Sequence, residues 1–504
     1  MCVIERRFNL IDEGWIPVVE RGRVGLKTIF TDSTITALGG NPVEKIALFK
    51  LLLAIAQSAY TPKDETEWKE LGCDGMQEKV LDYLDEHHDL FWLYGEKPFL
   101  QMPKVAEASK MSYGSVQMEV ATGNTSVVTE IQSEKQLNNA EKAILLVTLM
   151  GFACGGKNTD NSIVLTNGYA LKTNKKGNPS TGKPGASLGF MGYMHTFAFL
   201  ETLVLSIYVN LFSTEIIQRM NMYPAGTGTA PWLAMPSGED DEIAQKLKKS
   251  YMGRLVPLSR FVLLKEEGIH YSEGIAHSGY MDSVVDPSVT VDFSAKPRPK
   301  VLWIDPDRKP WRQLTSLLAF LDANKVNKFV CFQLKEVLPR LPAYKSFSTW
   351  SGGVRVSSNA GEQYVSGNDD FVESEVKFGD DFFSDSIDFF MILKEEMNYL
   401  ESNAKIVFGC IFKYFAALKT DGTSIAAQAT GIYWQLCESQ FQKLVNVCAE
   451  DSSGEKAKDM QKLFSGFVYQ IYDRTCPKDT ARQMEAWAEN RPFSRKKEEK
   501  QRDA

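Results

Sequence analysis

The chain has 504 residues, of which 43% are hydrophobic, 11% aromatic and 24% charged, and its formal net charge is −7. This length predicts two to four domains with large cores, and no run approaches the roughly 18 uncharged apolar residues of a membrane helix. The net charge excludes a surface that is basic throughout, so any nucleic-acid binding must be local or shared with partner chains. The charged N-terminal stretch MCVIERRFNLIDEG lacks the apolar core of a secretory signal, so we expect a cytoplasmic protein.

The cysteines predict neither a disulfide framework nor a zinc site. They are scattered and form no C-x-x-C pair, which is typical of reduced core or surface thiols. We therefore expect no metal and no cofactor. The eight positions are Cys2, Cys73, Cys154, Cys331, Cys410, Cys437, Cys448 and Cys476.

The N-terminal part alternates between extended and helical patterns. Apolar and polar residues alternate over Phe8–Val19, and Gly22 follows, which predicts an opening β-hairpin. Val43–Tyr60 is apolar on most sides, as in a buried helix, whereas Asp64–Tyr83 is amphipathic. An aromatic turn region then leads into a short extended piece at residues 97–101.

These elements resemble the N-terminal half of the CasA family, the large subunit of the type I-E CRISPR surveillance complex Cascade. The resemblance rests on FNLIDEGWIPVV, the buried helix ending in Gln57, and GEKPFLQ. It continues along the chain in short motifs that follow the family's order: Ala230-Pro231-Trp232, Gly253-Arg254-Leu255, Tyr271-Ser272-Glu273-Gly274, Asp286-Pro287, Pro310-Trp311-Arg312 and Ser351-Gly352-Gly353-Val354-Arg355. It implies a subunit that binds double-stranded target DNA beside a CRISPR RNA and other Cascade subunits, and that recruits a nuclease-helicase.

Residues 121–137 are polar and precede an apolar helix predicted over Ala140–Cys154. In the resembled family a loop here docks on the subunits that hold the 5′ end of the guide RNA. The resemblance places the contacting tip at Val128 and Thr129. An ordinary surface loop remains the alternative.

The stretch Lys172–Gly189 combines backbone freedom with local positive charge. Its glycines permit φ above zero, and Pro179 and Pro184 exclude a helix. Lysines pair with phosphates while glycine backbone reaches where side chains would clash, so this pattern favours a loop that binds a polyanion. A solvated linker is the alternative. Its lysines, Lys172, Lys175, Lys176 and Lys183, are the only Lys, Arg, Asp or Glu residues between Asp160 and Glu201.

The resemblance assigns this loop to the protospacer-adjacent motif, the short DNA tag beside the target. Its Thr181-Gly182-Lys183-Pro184-Gly185-Ala186 matches the family's glycine loop, and Gly177, followed by Asn178, is placed nearest the motif. The minor groove is only about 6 Å wide, so a bare backbone can enter where a helix cannot. Minor-groove contacts discriminate bases weakly, so we expect several motif sequences to be tolerated.

Beyond the loop, Phe197–Phe212 is an apolar element, and strands are predicted over Arg254–Lys265, Tyr271–Ile275, Ser288–Phe293 and Lys300–Ile304. The chain departs from the family in two ways. Glu266–His270 lacks the cysteines that many relatives carry there, so no structural zinc is expected. Ala276–Gly279 lacks the lysine that enters the minor groove in some relatives, and His277 is either its substitute or a plain surface residue.

The segment Trp350–Gly361 predicts a strand, a tight turn and a second strand. In the resembled family this hairpin is a wedge that separates the DNA strands beside the motif. The matching positions are Arg355 and a polar tip at Val356, Ser357, Ser358 and Asn359. An ordinary hairpin is the alternative.

Long helical patterns begin at Asp380 and predict a helical bundle. The predicted helices are Ser384–Met397, Asn398–Leu418, Ser424–Glu450, Glu455–Asp473 and Asp479–Asn490, with Thr423 or Ser424 as a helix cap. The expected fold class is therefore α+β: a large mixed α/β domain over 1–379, an all-α bundle of the four-helix type over 380–490, and a frayed tail over 491–504.

No catalytic constellation stands out in the sequence. There is no G-x-x-x-x-G-K-[ST], no H-E-x-x-H and no histidine–aspartate doublet of a metal nuclease, and the chain has five histidines. We therefore expect a binding subunit that is not an enzyme. Two other hypotheses remain: a metal-dependent nuclease with a dispersed acidic site, and a purely structural scaffold.

Overall fold

A computed structural model describes residues 6–118, 136–152, 160–166, 173, 177, 192–322, 324, 328–356, 370–450 and 454–493. The chain divides into two compact units, Met1–Phe320 with Lys328–Glu375, and Leu321–Asn327 with Val376–Ala504. The first unit mixes helices and strands, and the second is mainly helical. The predicted α+β fold class with a C-terminal helical region is confirmed.

The strands are short and form several small sheets, as expected for a sequence without a regular βαβ rhythm. In the described part of the chain they are β1 (Arg7–Asn9), β2 (Ile16–Val18), β3 (Gly22–Val24), β4 (Trp92–Tyr94), β5 (Lys110–Met111), β6 (His195–Phe199), β7 (Arg260–Lys265), β8 (Gly268–Glu273), β9 (Thr290–Asp292), β10 (Lys300–Val301), β11 (Val330–Cys331), β12 (Ser346–Val354) and β13 (Phe371–Gly379). Their orders are β1-β4, β2-β3, β5-β8-β7, β10-β9-β11 and β13-β12-β6.

The helices of the first unit alternate with its strands along the chain, and those of the second unit make up most of it. The first set comprises α1 (Leu26–Thr31), α2 (Pro42–Ala59), α3 (Glu65–Glu86), α4 (Asn139–Gly151), α5 (Leu203–Asn210), α6 (Thr214–Arg219), α7 (Glu242–Lys248), α8 (Met252–Leu255), α9 (Leu314–Leu317) and α10 (Phe332–Val337). The second comprises α11 (Asp381–Ser384), α12 (Ser386–Ala417), α13 (Thr423–Glu450), α14 (Glu455–Thr475) and α15 (Ala481–Glu489).

Helix α2 is the buried helix that the sequence predicts. The Asn41 side chain accepts a hydrogen bond from the backbone of Glu44, and the Glu44 side chain accepts one from the backbone of Asn41. This capping box and Pro42 at the first position fix where the helix begins. Because α2 is apolar on most of its surface, it packs against α4 and β12 and forms the centre of the first unit's core.

The predicted N-terminal hairpin is correct only in its second half. Strands β2 and β3 pair antiparallel around Gly22, whose φ is +80°. Strand β1 instead pairs with β4, more than 80 residues further along the chain. A turn, in which the Glu13 amide donates to the Asn9 carbonyl, separates β1 from β2, so FNLIDEGWIPVV is not one strand.

Three other predicted elements have different boundaries in the structure. Phe197–Phe212 divides into strand β6 and helix α5, and the Thr202 side chain caps the helix by accepting from the Leu205 amide. The strand predicted over Arg254–Lys265 includes residues of α8 and is extended only in β7. The break predicted after Met397 does not exist, because buried apolar residues recur at helical spacing through the whole of α12.

The start of α13 also differs from the prediction. Thr423 is the first helical residue rather than a cap, and the Asp421 carboxylate accepts hydrogen bonds from its amide and its hydroxyl. These bonds lower the pKa of Asp421. Among the described helices, none is both long and apolar enough to cross a bilayer.

Candidate nucleic-acid interface

Most of the predicted contact residues lie outside the described residues. They are Val128 and Thr129 of the docking loop, Lys172, Lys175, Lys176, Asn178, Thr181, Gly182, Lys183 and Gly185 of the glycine loop, and Ser357, Ser358 and Asn359 of the wedge. Gly177, Arg355 and Val356 are described.

Gly177 has a left-handed backbone conformation. It is exposed with φ +80°, a region that L side chains rarely adopt. A Cβ added here would meet no described atom within 4 Å. No described atom therefore requires a glycine at this position.

The tight turn predicted within Trp350–Gly361, with its tip at residues 356–359, lies mostly outside the described residues. Gly352 and Gly353 lie inside β12, and residues 355–370 connect this strand to its neighbour β13. The glycines permit close packing: a Cβ on Gly352 would lie 2.8 Å from the Trp350 ring, and one on Gly353 would lie 2.7 Å from the Tyr193 carbonyl oxygen. Glycine therefore marks close contact here rather than chain reversal.

Arg355 and Val356 form the base of the connection between β12 and β13. The Arg355 amide donates to the Asp370 carbonyl at 2.9 Å, which closes this base. The Arg355 side chain is exposed, whereas Val356 is only 2% exposed. Val356 thus anchors the connection in the core, and its predicted place at the contacting tip is wrong.

Gly192, three residues beyond the predicted glycine loop, lies against Val354, the last residue of β12. Gly192 directly follows residues 178–191, and its φ is +82°. A Cβ on Gly192 would lie 1.7 Å from the Val354 carbonyl oxygen, so only glycine permits this approach. The Gly192 carbonyl also accepts a hydrogen bond from the Ile304 amide at 2.9 Å. Two segments far apart in sequence therefore emerge side by side.

His277 is buried and is not the surface residue that the sequence suggested. Its Nε2 lies 2.7 Å from the Pro257 carbonyl oxygen, and because a carbonyl can only accept, Nε2 carries the proton. Burial, assisted by the positive charge of Arg254, lowers the pKa of His277 to about 3, so the ring is neutral at neutral pH. It is neither exposed nor charged, so it cannot replace a minor-groove lysine.

Arg254 is a buried cation that the sequence did not identify as important. It is 2% exposed, and its Nη1 donates to the Ser278 carbonyl at 2.9 Å. Its Nε and Nη2 have no hydrogen-bond partner among the described residues. Burial lowers the pKa of Arg254, but a guanidinium remains protonated at neutral pH. Its position inside a Gly-Arg-Leu motif gave no indication of this burial.

A second buried network connects α2 to the strand that leaves the glycine loop. Lys50 forms an ion pair with Asp286, whose other oxygen accepts from the amide and hydroxyl of Ser288. The Ser288 hydroxyl lies 2.8 Å from Nδ1 of His195 on β6. Burial raises the pKa of Asp286, but the Lys50 charge, the neighbouring His195 ring and the hydrogen bonds outweigh this effect and lower the pKa to about 2.

The described residues contain no group of three or more His, Cys, Asp or Glu side chains placed to hold a metal ion. They do bring Gly192 against Val354, one residue before the exposed Arg355, and they also include the buried cation Arg254. Such an arrangement can bind a polyanion through charge and open backbone.

The whole chain is similar to one family of CRISPR-associated proteins. The model of the CRISPR-associated protein Cse1 family matches residues 9–471. A Thermus thermophilus protein described as CRISPR-associated protein CasA/Cse1 is 32% identical over 163 residues. This alignment covers 30% of the present chain and about a third of the relative's length, 32%.

Solved structures show the same fold at low sequence identity. Cse1 from Thermobifida fusca superposes with a TM-score of 0.74 and 18% identity, over 96% of this chain and 97% of the other. A chain of a CRISPR RNA-guided surveillance complex gives a TM-score of 0.67 at 14% identity, over 97% of this chain and 99% of the other.

Proposed function

Because the Cse1 family model spans most of its length, this chain belongs to that family, and we propose that it is the large subunit of a type I-E surveillance complex, Cascade. Its likeness over 97% of its length to a chain of an RNA-guided surveillance complex supports this role. Its partners are then the CRISPR RNA, the other Cascade subunits and double-stranded target DNA. The site of action is the cytoplasm, in defence against viral DNA.

The proposed task is to recognise the protospacer-adjacent motif through the minor groove and to help open the duplex. The observation that supports this proposal is the close approach of Gly192, three residues after the predicted glycine loop, to Val354, the residue before Arg355. A subunit that reads a motif and separates the adjacent base pairs needs both elements within a few base pairs of one another. Opening costs about 1.4 kcal/mol per stacked step, and contacts made only with separated strands can offset that cost.

In this scheme the residues divide into three groups. Gly177, Asn178, Thr181, Gly182 and Gly185 bring backbone into the groove, and the four loop lysines bind phosphates. Arg355 and Ser357–Asn359 contact the opened strands, while Val128 and Thr129 dock on the subunits at the 5′ end of the guide. The chain performs no chemistry itself, and a recruited nuclease-helicase degrades the target.

The test uses the assembled complex with and without this subunit. Both are incubated with a duplex library in which the motif positions are randomised and the target matches the guide. We expect motif-dependent binding and R-loop formation only when the subunit is present. Binding that is independent of the motif in both samples would contradict the proposal. Cleavage of the duplex by the isolated chain in the presence of a divalent metal would indicate a nuclease instead.

A further inference from the structure

Tyr193 and Trp303 form a stacked aromatic pair beside the two DNA-directed segments. Their ring centroids are 4.8 Å apart and their planes differ by 23°. The backbone explains the stacking: the Met194 amide donates to Leu302, and the Ile304 amide donates to Gly192. These bonds lie on either side of Tyr193 and Trp303, which face each other without a hydrogen bond of their own. In antiparallel strands, opposite residues of this kind have the closest side chains.

Tyr280 completes the cluster from a separate turn. Its ring stands edge-on to both partners, with centroids 6.3 Å from Tyr193 and 6.0 Å from Trp303. Buried Arg254 holds the backbone two residues earlier through the Ser278 carbonyl. The three rings are therefore fixed by backbone and buried side chains, and little ordering is required when a ligand binds.

The cluster lies where the two segments emerge. Tyr193 is the second described residue after the glycine loop, and its carbonyl oxygen would lie 2.7 Å from a Cβ on Gly353 of β12. Arg355, two residues beyond Gly353, is exposed. All three rings are half-buried, in contrast to the core aromatics of α2 and β6, Phe49 and Phe197.

A buried positive charge acts on the cluster. Lys50 and Asp286 neutralise each other, and His277 is uncharged, so Arg254 leaves a buried positive charge. Burial raises the pKa of the Tyr193 hydroxyl to about 12, and the Arg254 charge opposes part of this rise. Asp282, in the same turn as Tyr280, is exposed and accepts from the Gly279 amide, and Asp305 and Asp307, which follow Trp303, are also exposed.

We propose that Tyr193, Trp303 and Tyr280 form a stacking platform for an unpaired nucleobase of the target DNA at the point where the duplex opens. This proposal rests on the proposed function. Every base has a π face, so an aromatic platform accepts any sequence, as a strand-opening site must. The platform stabilises the opened state only, because a paired base is already stacked within the duplex.

The experiment places 2-aminopurine, whose fluorescence is quenched by stacking, at single positions beside the motif in the assembled complex. One set of duplexes carries the probe on the target strand and another carries it on the displaced strand. With the wild-type subunit we expect quenching at one position relative to the same duplex opened without protein. The strand that carries this position identifies the bound base.

Substitutions then separate stacking from structure. Trp303→Leu should restore the fluorescence and weaken binding of fully paired target about 5- to 150-fold. Trp303→Phe keeps an aromatic ring and should retain most of the quenching and most of the affinity of the wild type. The slope of log affinity against log salt should not change, since no phosphate contact is lost. Trp92→Leu is the matched control: Trp92 is a half-buried tryptophan whose ring stands edge-on to His88, in the separate β1-β4 sheet. It should leave fluorescence and affinity unchanged.

Tyr280→Leu provides a second variant if Trp303→Leu fails to enter the complex, because Tyr280 lies outside the paired strands. It should reduce quenching in the same position. Quenching that persists unchanged in Trp303→Leu or Tyr280→Leu, or that is absent at every position with the wild type, would overturn the platform. If wild-type complex bound DNA without motif dependence, the proposed function would fail, and the platform with it.

Discussion

The buried Lys50–Asp286 pair provides a quantitative test of how the first unit is held together. Lys50 is 2% exposed and Asp286 6% exposed, so neither charge is solvated once its partner is removed. Lys50→Met should destabilise the first unit by about 3–5 kcal/mol, the usual cost of leaving one buried charge without its partner. Lys45→Met on the same helix is the control, because the Lys45–Glu373 pair is 24% and 38% exposed. Its loss should cost at most about 1 kcal/mol.

The same pair predicts a specific pH dependence. The pKa of Asp286 is about 2 in the folded protein and 3.8 ordinarily, which corresponds to about 2 kcal/mol of stability at neutral pH. Because the folded pKa is the lower one, this stability is present above pH 4 and is lost as the pH falls towards 2. Lys50→Met should remove that dependence.

Urea unfolding of the full chain, followed by tryptophan fluorescence at several pH values, measures both effects. The double variant Lys50→Met with Asp286→Asn should recover much of the loss, since no buried charge remains. A Lys50→Met variant that is as stable as the Lys45→Met control would refute the reasoning, as would a double variant that loses the sum of the two single effects.

Three further results are expected. Alanine at all four loop lysines, Lys172, Lys175, Lys176 and Lys183, should lower the slope of log affinity against log salt by up to about 3.6 without changing motif preference; an unchanged slope would favour the solvated linker. Glycine at Ser357–Asn359 should weaken binding to paired target but not to a target already mismatched beside the motif, and equal defects would indicate a contact surface rather than a wedge. Glu396→Gln should stabilise the second unit at neutral pH by about 1 kcal/mol. Burial raises the pKa of Glu396, and its Oε2 has no hydrogen-bond partner among the described residues. The stability of the wild type should therefore fall as the pH rises above about 4.5, whereas the stability of the variant should not. If the free energies of unfolding of the two proteins changed in parallel with pH, this assignment would be refuted.

Features set by neighbouring residues were predictable from the sequence. Helix α2 follows from a continuous apolar pattern behind Asn41 and Pro42, and the β2-β3 pair follows from Gly22 between extended residues. The family resemblance, confirmed across residues 9–471, supplied the order of the functional loops.

Features set by residues far apart in sequence were not predictable from local pattern. The partner of β1 is β4 rather than β2, because pairing between distant strands leaves no local signal. His277 and Arg254 are buried where each can form a hydrogen bond with a backbone carbonyl distant in sequence: His277 with Pro257, and Arg254 with Ser278.

The candidate site shows the same division. A Gly/Lys loop and a Gly-Gly-Val-Arg strand were each visible, but their convergence at Gly192 was not, since it is created by pairing with Ile304 and packing against Val354. A signal was present in Gly192-Tyr193, a glycine followed by an aromatic residue at the start of a strand. The sequence alone gave no partner for either residue.

The central claim, that the glycine loop carries motif recognition, is tested most directly by Gly177→Asp in the assembled complex. Gly22→Asp is the matched control, because Gly22 has the same φ of +80°, is exposed, and likewise has no described atom within 4 Å of an added Cβ. Both substitutions carry the same backbone cost, so any difference between them in binding to a motif-randomised library reports contact with DNA. We predict that Gly177→Asp abolishes motif-dependent binding and that Gly22→Asp leaves it intact; wild-type affinity and motif preference in Gly177→Asp would contradict the account.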